Sequence, residues 1–151
     1  TFVLNTAYKT LIPLSAFYIL IFNCLFSTWW SPAMLAYQPQ NHFGRYILQQ
    51  NQPYYTFGYA PEFSTVFYAR ATPLETIWET ERMRQVVSPG KKSLVITTGN
   101  GLQQLREAGL QVTVISSLPA FKVAKMNFKF IDPVTRASVC ETQVLAAVTR
   151  P

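Results

Sequence analysis

A single histidine, two distant cysteines and seven carboxylates bound the acid–base, nucleophilic and metal chemistry open to this chain of 151 residues. A Ser-His-Asp triad would have to pass through His42, yet no G-x-S-x-G elbow or comparable nucleophile setting accompanies it. A lone histidine at a helix start suits a cap neighbour or a surface residue. Metal binding fares no better: the ligands would be one His and scattered carboxylates, and the usual zinc spacings are missing. Cys24 and Cys140 are too far apart in organisation to pair. The acids are Glu62, Glu75, Glu79, Glu81, Glu107, Asp132 and Glu141. Glu75 and Glu79, four apart, read with Glu81 and Arg82 as solvated helix surface. A glycosidase pair needs a cleft and a set separation that spacing does not display. Gly99-Asn100-Gly101 stands where phosphate loops stand, between strand and helix. It lacks a third glycine or a Gly-Lys-Ser/Thr, so a tight structural turn is the favoured reading. No catalytic residue, metal ligand or cofactor is assigned.

The basic residues are more numerous, and the chain carries a net charge of +6. Lys122, Lys125 and Lys129, with Lys91, Lys92, Arg82 and Arg84, form a solvated face that can meet anionic lipid headgroups, at about 1 kcal/mol per charge near a membrane surface. Nucleic acid is set aside as a partner, because no binding motif is present. The aromatic run Tyr54, Tyr55, Phe57, Tyr59, Phe63, Phe67 and Tyr68 could stack on sugar rings; core packing accounts for most of it.

What must position these groups begins with a gap in charge. No charged residue lies between Lys9 and Arg45, and the centre of that gap is TLIPLSAFYILIFNCLFSTWW, Thr10 to Trp30. At about 1.5 Å per helical residue this run rises roughly 30 Å, the thickness of a bilayer core. Trp29-Trp30 closes it where indole rings favour the interface. Pro13 lies near one end, and Ser15, Asn23, Ser27 and Thr28 can hydrogen-bond to neighbouring helices. A cleaved signal peptide is disfavoured by the length of the run and the poor A-x-A match around Met34 and Ala36. The expected organisation is therefore a loop or tail from a preceding segment (1–9), a transmembrane helix (10–30), a linker (31–40) and a small α/β domain (41–151), which the resemblance given below implies to be extracytoplasmic. A complete reading frame would open with Met, so Thr1 suggests a piece of a longer membrane protein.

Within the domain, Gln38–Gln52 suits a short helix capped by Asn41, with Phe43, Tyr46 and Ile47 on one stripe. Tyr54–Tyr59 reads as a first strand and Glu62–Ala69 as a helix. Thr72-Pro73-x-Glu75 looks like the start of a second helix, carrying Leu74, Ile77, Trp78 and Met83 inward and ending near Ser88-Pro89-Gly90. Ser93–Thr98 is a buried strand, and Leu102–Leu110 a helix with Leu102, Leu105 and Ala108 on one face. Gln111–Ser116 is the strand that completes a parallel βαβ unit. Met126–Ile131 alternates as a strand with Met126, Phe128 and Phe130 inward. Asp132-Pro133 turns, and Val139–Val148 offers a last strand or helix, with a strand favoured. The fold class is α/β: a transmembrane helix, then a small three-layer-like domain with a βαβ core and additional C-terminal strands.

Taken in order, Tyr54-Tyr55-Thr56-Phe57-Gly58-Tyr59, Ser64-Thr65-Val66-Phe67-Tyr68-Ala69-Arg70, Leu94-Val95-Ile96-Thr97, Leu102-Gln103-Gln104-Leu105 and Phe130-Ile131-Asp132-Pro133-Val134-Thr135-Arg136 form a pattern. It resembles the C-terminal end of the family 39 membrane glycosyltransferases, relatives of protein mannosyltransferases and aminoarabinose transferases. The resemblance covers nearly all of residues 10–149 and rests mainly on the stretch from Tyr59 to Arg70. It implies transfer of a sugar from a polyprenyl-phosphate carrier to a lipid or protein acceptor at the outer face of the cytoplasmic membrane. The family's acidic catalytic motif belongs to an external loop with no counterpart here, so no catalytic residue carries over. What the resemblance implies for this chain is a lid or support for the active-site cavity, with Tyr59, Tyr68 and Arg70 as the residues expected to face substrate. The alternatives are a single-span membrane-anchored binding or assembly domain without enzymatic activity, and a soluble hydrolase behind a signal peptide cleaved near Ala36.

Overall fold

The computed structural model describes residues 2–121, 128–132 and 134–151. It falls into two compact units, divided between Ala36 and Tyr37.

The first unit is helical almost throughout: α1 (Phe2–Leu25), a π-helical turn (Phe26–Trp30) and α2 (Ser31–Leu35). The expected loop over 1–9 is therefore corrected, because α1 begins at Phe2, and so is the linker over 31–40, half of which is α2. Phe2–Lys9 contains no helix breaker, so the apolar helix extends backward through it. The π turn has a local cause. Pro32 has no N–H to offer the carbonyl of Thr28, and its ring would collide there. Widening the helix just before it, with Ser31 N–H reaching back to the Phe26 carbonyl, relieves the crowding. From Leu11 to Leu35 this is one helix long and apolar enough to cross a membrane, and none of those residues is buried. Three of its polar side chains turn back on their own helix. Ser15 Oγ donates to the Ile12 carbonyl (2.9 Å), Asn23 Nδ2 to Ile19 (2.8 Å) and Thr28 Oγ1 to Cys24 (2.7 Å). Such back-bonding satisfies a hydroxyl or amide without a neighbouring helix.

The second unit is an α/β domain. It comprises α3 (Gln40–Gln50), β1 (Tyr54–Phe57), α4 (Phe63–Ala69), β2 (Thr76–Ile77), α5 (Thr80–Val86), β3 (Ser93–Thr98), α6 (Gly99–Glu107), β4 (Gln111–Ala120), α7 (Phe128–Ile131), a 3-10 turn (Arg136–Val139) and β5 (Glu141–Thr149). The sheet order is β2-β1-β3-β5-β4. β1 pairs in parallel with β2 and β3, and β5 lies antiparallel to both β3 and β4. The β3-α6-β4 unit is present and its strands share a direction, but β5 is inserted between them. Each face of the sheet carries its own core. Phe43 and Ile47 of α3 and Ala69 of α4 pack with Tyr54, Leu94, Ile96 and Leu145 on one side. Met83 of α5 and Leu105 of α6 pack with Phe57, Ile77, Val95 and Val148 on the other. The strands alternate between these cores, as a period of two requires of a sheet buried on both faces.

Three expected elements change. Thr72–Glu75 does not open a helix: Leu74 N–H reaches the Tyr54 carbonyl (2.8 Å) and Thr56 N–H the Glu75 carbonyl (3.2 Å), so the segment runs extended along the free edge of β1. α5 starts only at Thr80, which leaves Ile77 and Met83 buried but Leu74 and Trp78 exposed. Asn41 does not cap α3, whose N-cap position is Pro39. Residues 128–131, expected as strand, form α7, while Met126 lies outside the described residues. There Phe130 buries itself on a stack with Phe121 (3.6 Å) and an edge contact with Tyr37 (5.3 Å). Thr135 Oγ1 donates to the Lys129 carbonyl (2.7 Å) and closes the segment on itself.

Candidate functional site

α3 is amphipathic twice over. Phe43 and Ile47, four apart, enter the core, and Gly44 between them meets α4. A Cβ on Gly44 would stand 2.7 Å from the Tyr68 Cβ and 2.9 Å from the Thr65 carbonyl oxygen, so only glycine permits this approach of the two helices. The adjoining stripe, His42, Arg45, Tyr46 and Gln49, has the spacing i, i+3, i+4, i+7 that places side chains on one helical face. That stripe walls a cleft of about 330 Å³ lined by His42, Phe43, Arg45, Tyr46, Gln49, Ser116 and Leu145.

The floor of the cleft depends on an irregularity in β4. Its register with β5 slips between Val114 and Ser116, so Ile115 is an extra residue. Before the bulge Val112 packs into the α5/α6 core; after it Leu118 packs into the α3/α4 core. One inserted residue exchanges the faces of all that follow. Ser116 is thereby set opposite Leu145, beneath α3. The guanidinium carbon of Arg45 lies 5.4 Å from the centre of the Tyr68 ring, within cation–π range. Tyr68 in turn meets Phe67 edge-on at 5.3 Å, and Phe67 and Phe63 stand exposed on α4. The site thus combines imidazole, guanidinium, amide and hydroxyl groups with an apolar shelf, and its lining includes no carboxylate. These groups have the chemistry to suit an anion, and among the described residues no hydrogen bond joins His42 to Ser116 as a nucleophile–base pair would require.

The three residues expected to face substrate separate. Tyr68 is half-buried beside Arg45 at the rim of the cleft. Tyr59 is buried, and its hydroxyl has no hydrogen-bond partner among the described residues. Burial, followed by the charge of Glu62, pushes its phenol far above the ordinary range. Tyr59 is core and not surface, which corrects that expectation. Nearby, Gln40 Nε2 donates to Gln143 Oε1 (3.0 Å) and Gln143 Nε2 to Glu62 Oε1 (3.4 Å), a polar thread from α3 through β5 to the N-cap of α4. Arg70 is exposed at the C-cap of α4 with φ 52°, a left-handed conformation. Lys129 is exposed on α7; Lys122 and Lys125 lie outside the described residues.

A second, larger depression of about 680 Å³ on the opposite side of the sheet is lined by Trp78, Glu79, Thr80, Glu81, Gln104, Glu107 and Ala108. Its acids are partly engaged, Glu81 with Arg84 (3.2 Å) and Glu107 with Gln103 (2.8 Å). Glu75 and Glu79 do not share a helix, since Glu75 precedes β2 and is held by both Nε and Nη2 of Arg82 (2.9 and 3.0 Å). Among the described residues no three His, Cys, Asp or Glu side chains come together to hold a metal ion. Gly99-Asn100-Gly101 forms the first turn of α6, where the Thr98 hydroxyl accepts from Gly101 N–H (3.2 Å). Gly101 is required there because a Cβ would collide with Thr97 Oγ1.

Arg45, Tyr46, Gln49 and Ser116 escaped the sequence as a site. The helical spacing of the first three with His42 was readable; Ser116 was not, because nothing in QVTVIS announces the bulge that aims it. Compared with family models, curated proteins and solved structures, the chain matches none.

Proposed function

We propose that this chain is a membrane-anchored, non-catalytic portion of a glycosyltransferase of the family 39 type. On this reading the whole enzyme transfers a sugar from a polyprenyl-phosphate donor to a lipid or protein acceptor. The α/β domain serves as an accessory or lid element on the extracytoplasmic side of the cytoplasmic membrane. The observation that carries the reading is the helix Leu11–Leu35: 25 residues, apolar, none of them buried, in one chain with a folded α/β domain. Exposing that much apolar surface to water is strongly unfavourable, whereas a bilayer accepts it. The resemblance in the stretch Tyr59–Arg70 supplies the enzyme class. Tyr68, beside Arg45 of the α3–β4 cleft, is the residue of that stretch best placed to meet a substrate.

The test is a blot of carbonate-washed native membranes with an antibody to residues 38–151. A band far above 17 kDa that resists extraction is expected. A membrane band near 17.2 kDa would replace this reading with a single-span anchored binding or assembly domain. That alternative draws support from the cleft, all of whose lining residues belong to the α/β domain itself. A band released into the soluble fraction would remove the membrane anchor from both.

A further inference from the structure

We infer that the cleft between α3 and β4 is a binding site for an anionic, phosphate-bearing lipid headgroup, with the aromatic face of α4 receiving the start of its apolar chain. Four observations carry this. The lining supplies donors of the kinds that hold a phosphate oxygen: the Arg45 guanidinium, the His42 imidazole, the Gln49 amide and the Ser116 hydroxyl. It supplies no carboxylate that would repel an anion. The volume, about 330 Å³, admits a headgroup and no macromolecule. Finally, Arg45 leads through the Tyr68 ring to Phe67, and Phe67 and Phe63 repeat at four residues along α4 with 66% and 83% of their surface exposed.

Polar donors at one end and exposed aromatic rings at the other match an amphiphile, and a free inorganic anion would leave the rings unused. The lipid source follows from the span: a domain joined to a membrane helix meets headgroups at high effective concentration. In this respect the inference rests on the anchor reading, although not on the enzyme class. Gly44 is what brings the two halves of the site together, since it sets α4 against α3.

The full chain in zwitterionic detergent micelles is titrated calorimetrically with dihexanoyl phosphatidic acid, dihexanoyl phosphatidylcholine and inorganic phosphate. Saturable binding of the phosphatidic acid is expected, weakened about tenfold by Arg45→Ala through loss of a charge-assisted contact. Arg106→Ala, an exposed cation elsewhere on α6, should leave it unchanged. Phe67→Ser should weaken the lipid and spare inorganic phosphate, and because Phe67 is exposed this variant keeps the fold. No saturable binding, or equal losses in Arg45→Ala and Arg106→Ala, overturns the site. Inorganic phosphate or phosphatidylcholine binding as tightly as the phosphatidic acid overturns the anionic lipid as its ligand. Failure of the anchor shows independently, as release of the chain by carbonate with lipid binding retained.

Discussion

Tyr59 shows how a residue with the chemistry of a site can be spent on a core. Its ring is buried in the core cluster that also holds Tyr54 and Leu94, and its hydroxyl is left without a partner among the described residues. A buried unpaired hydroxyl costs free energy, so Tyr59→Phe is expected to be neutral or to stabilise by up to about 1 kcal/mol. Chemical denaturation at pH 7 measures this; a clear loss of stability would mean that the hydroxyl has a partner. The same residue makes an alkaline prediction. Burial raises the Tyr54 phenol from 10.0 to about 12 and drives Tyr59 in the same direction. Groups raised in the folded state stabilise it fully below pH 10 and lose that contribution as pH climbs toward 12 and beyond. Tyr59→Phe should therefore shallow the alkaline limb of the stability curve. Gly44 works in the opposite sense. Because a methyl there meets backbone atoms of α4 at 2.9 and 3.0 Å, Gly44→Ala must push the helices apart. A cost of about 1–3 kcal/mol is expected, less the helix propensity that alanine gains. A thermal melt reads it as a fall of several degrees, and the Arg45–Tyr68 contact should loosen with it.

At the scale of elements, two short segments are held by tertiary partners against their local preference. The Thr72–Glu75 stretch carries a helix-start pattern yet lies along β1, because an unpaired sheet edge offers backbone hydrogen bonds that an isolated turn of helix does not. Glu75, freed from any capping role, takes the fork of Arg82 instead and so ties the lead-in of β2 to α5. Hydrogen bonding to Arg82 is the main cause that lowers the Glu75 carboxyl, from an ordinary 4.5. A depressed carboxyl stabilises the fold above its ordinary value and loses that contribution as pH falls through the lowered one. Both partners are solvent-exposed, so the effect is small and screened by salt. Glu75→Gln should flatten the acid limb of the melting temperature below about pH 4.5 in low salt, and much less in high salt; an unchanged acid limb in low salt would dismiss the fork as a stabilising contact. The β4 bulge is the other such device. It costs one unpaired residue, Ile115, and turns Ser116 and Leu118 toward the α3/α4 side.

For the molecule as a whole, the division at Ala36/Tyr37 carries the physical argument. Among the described residues, both hydrophobic cores are built from side chains between Phe43 and Val148, and none of them comes from the helix Leu11–Leu35. Residues 37–151 should accordingly fold without the preceding helix. Expressed alone, that segment is expected to give a cooperative thermal unfolding transition and native-like near-ultraviolet circular dichroism. A molten, non-cooperative melt would show that the domain depends on the span or on a surface it meets in the membrane. The intact chain, by contrast, should require detergent.

The sequence by itself determined the features that depend on composition and local period. A charge-free apolar run long enough for a bilayer, β-branched strands at Ser93–Thr98 and in Val139–Val148, and helices at Gln38–Gln52 and Glu62–Ala69 could all be read from it, because hydrophobic periodicity is local information. The tertiary structure decided what depends on neighbours distant along the chain. Only the sheet could place β5 between β3 and β4, since strand order is set by which faces and edges remain to be covered. Only the free edge of β1 could draw Thr72–Glu75 out of a helix, and only packing of Phe130 on Phe121 and Tyr37 could coil a segment that alternates like a strand. The cleft belongs to this second class. His42, Arg45 and Gln49 share a helical face that spacing reveals, but Ser116 joins them through a one-residue bulge, and Tyr68 joins Arg45 because Gly44 lets two helices touch.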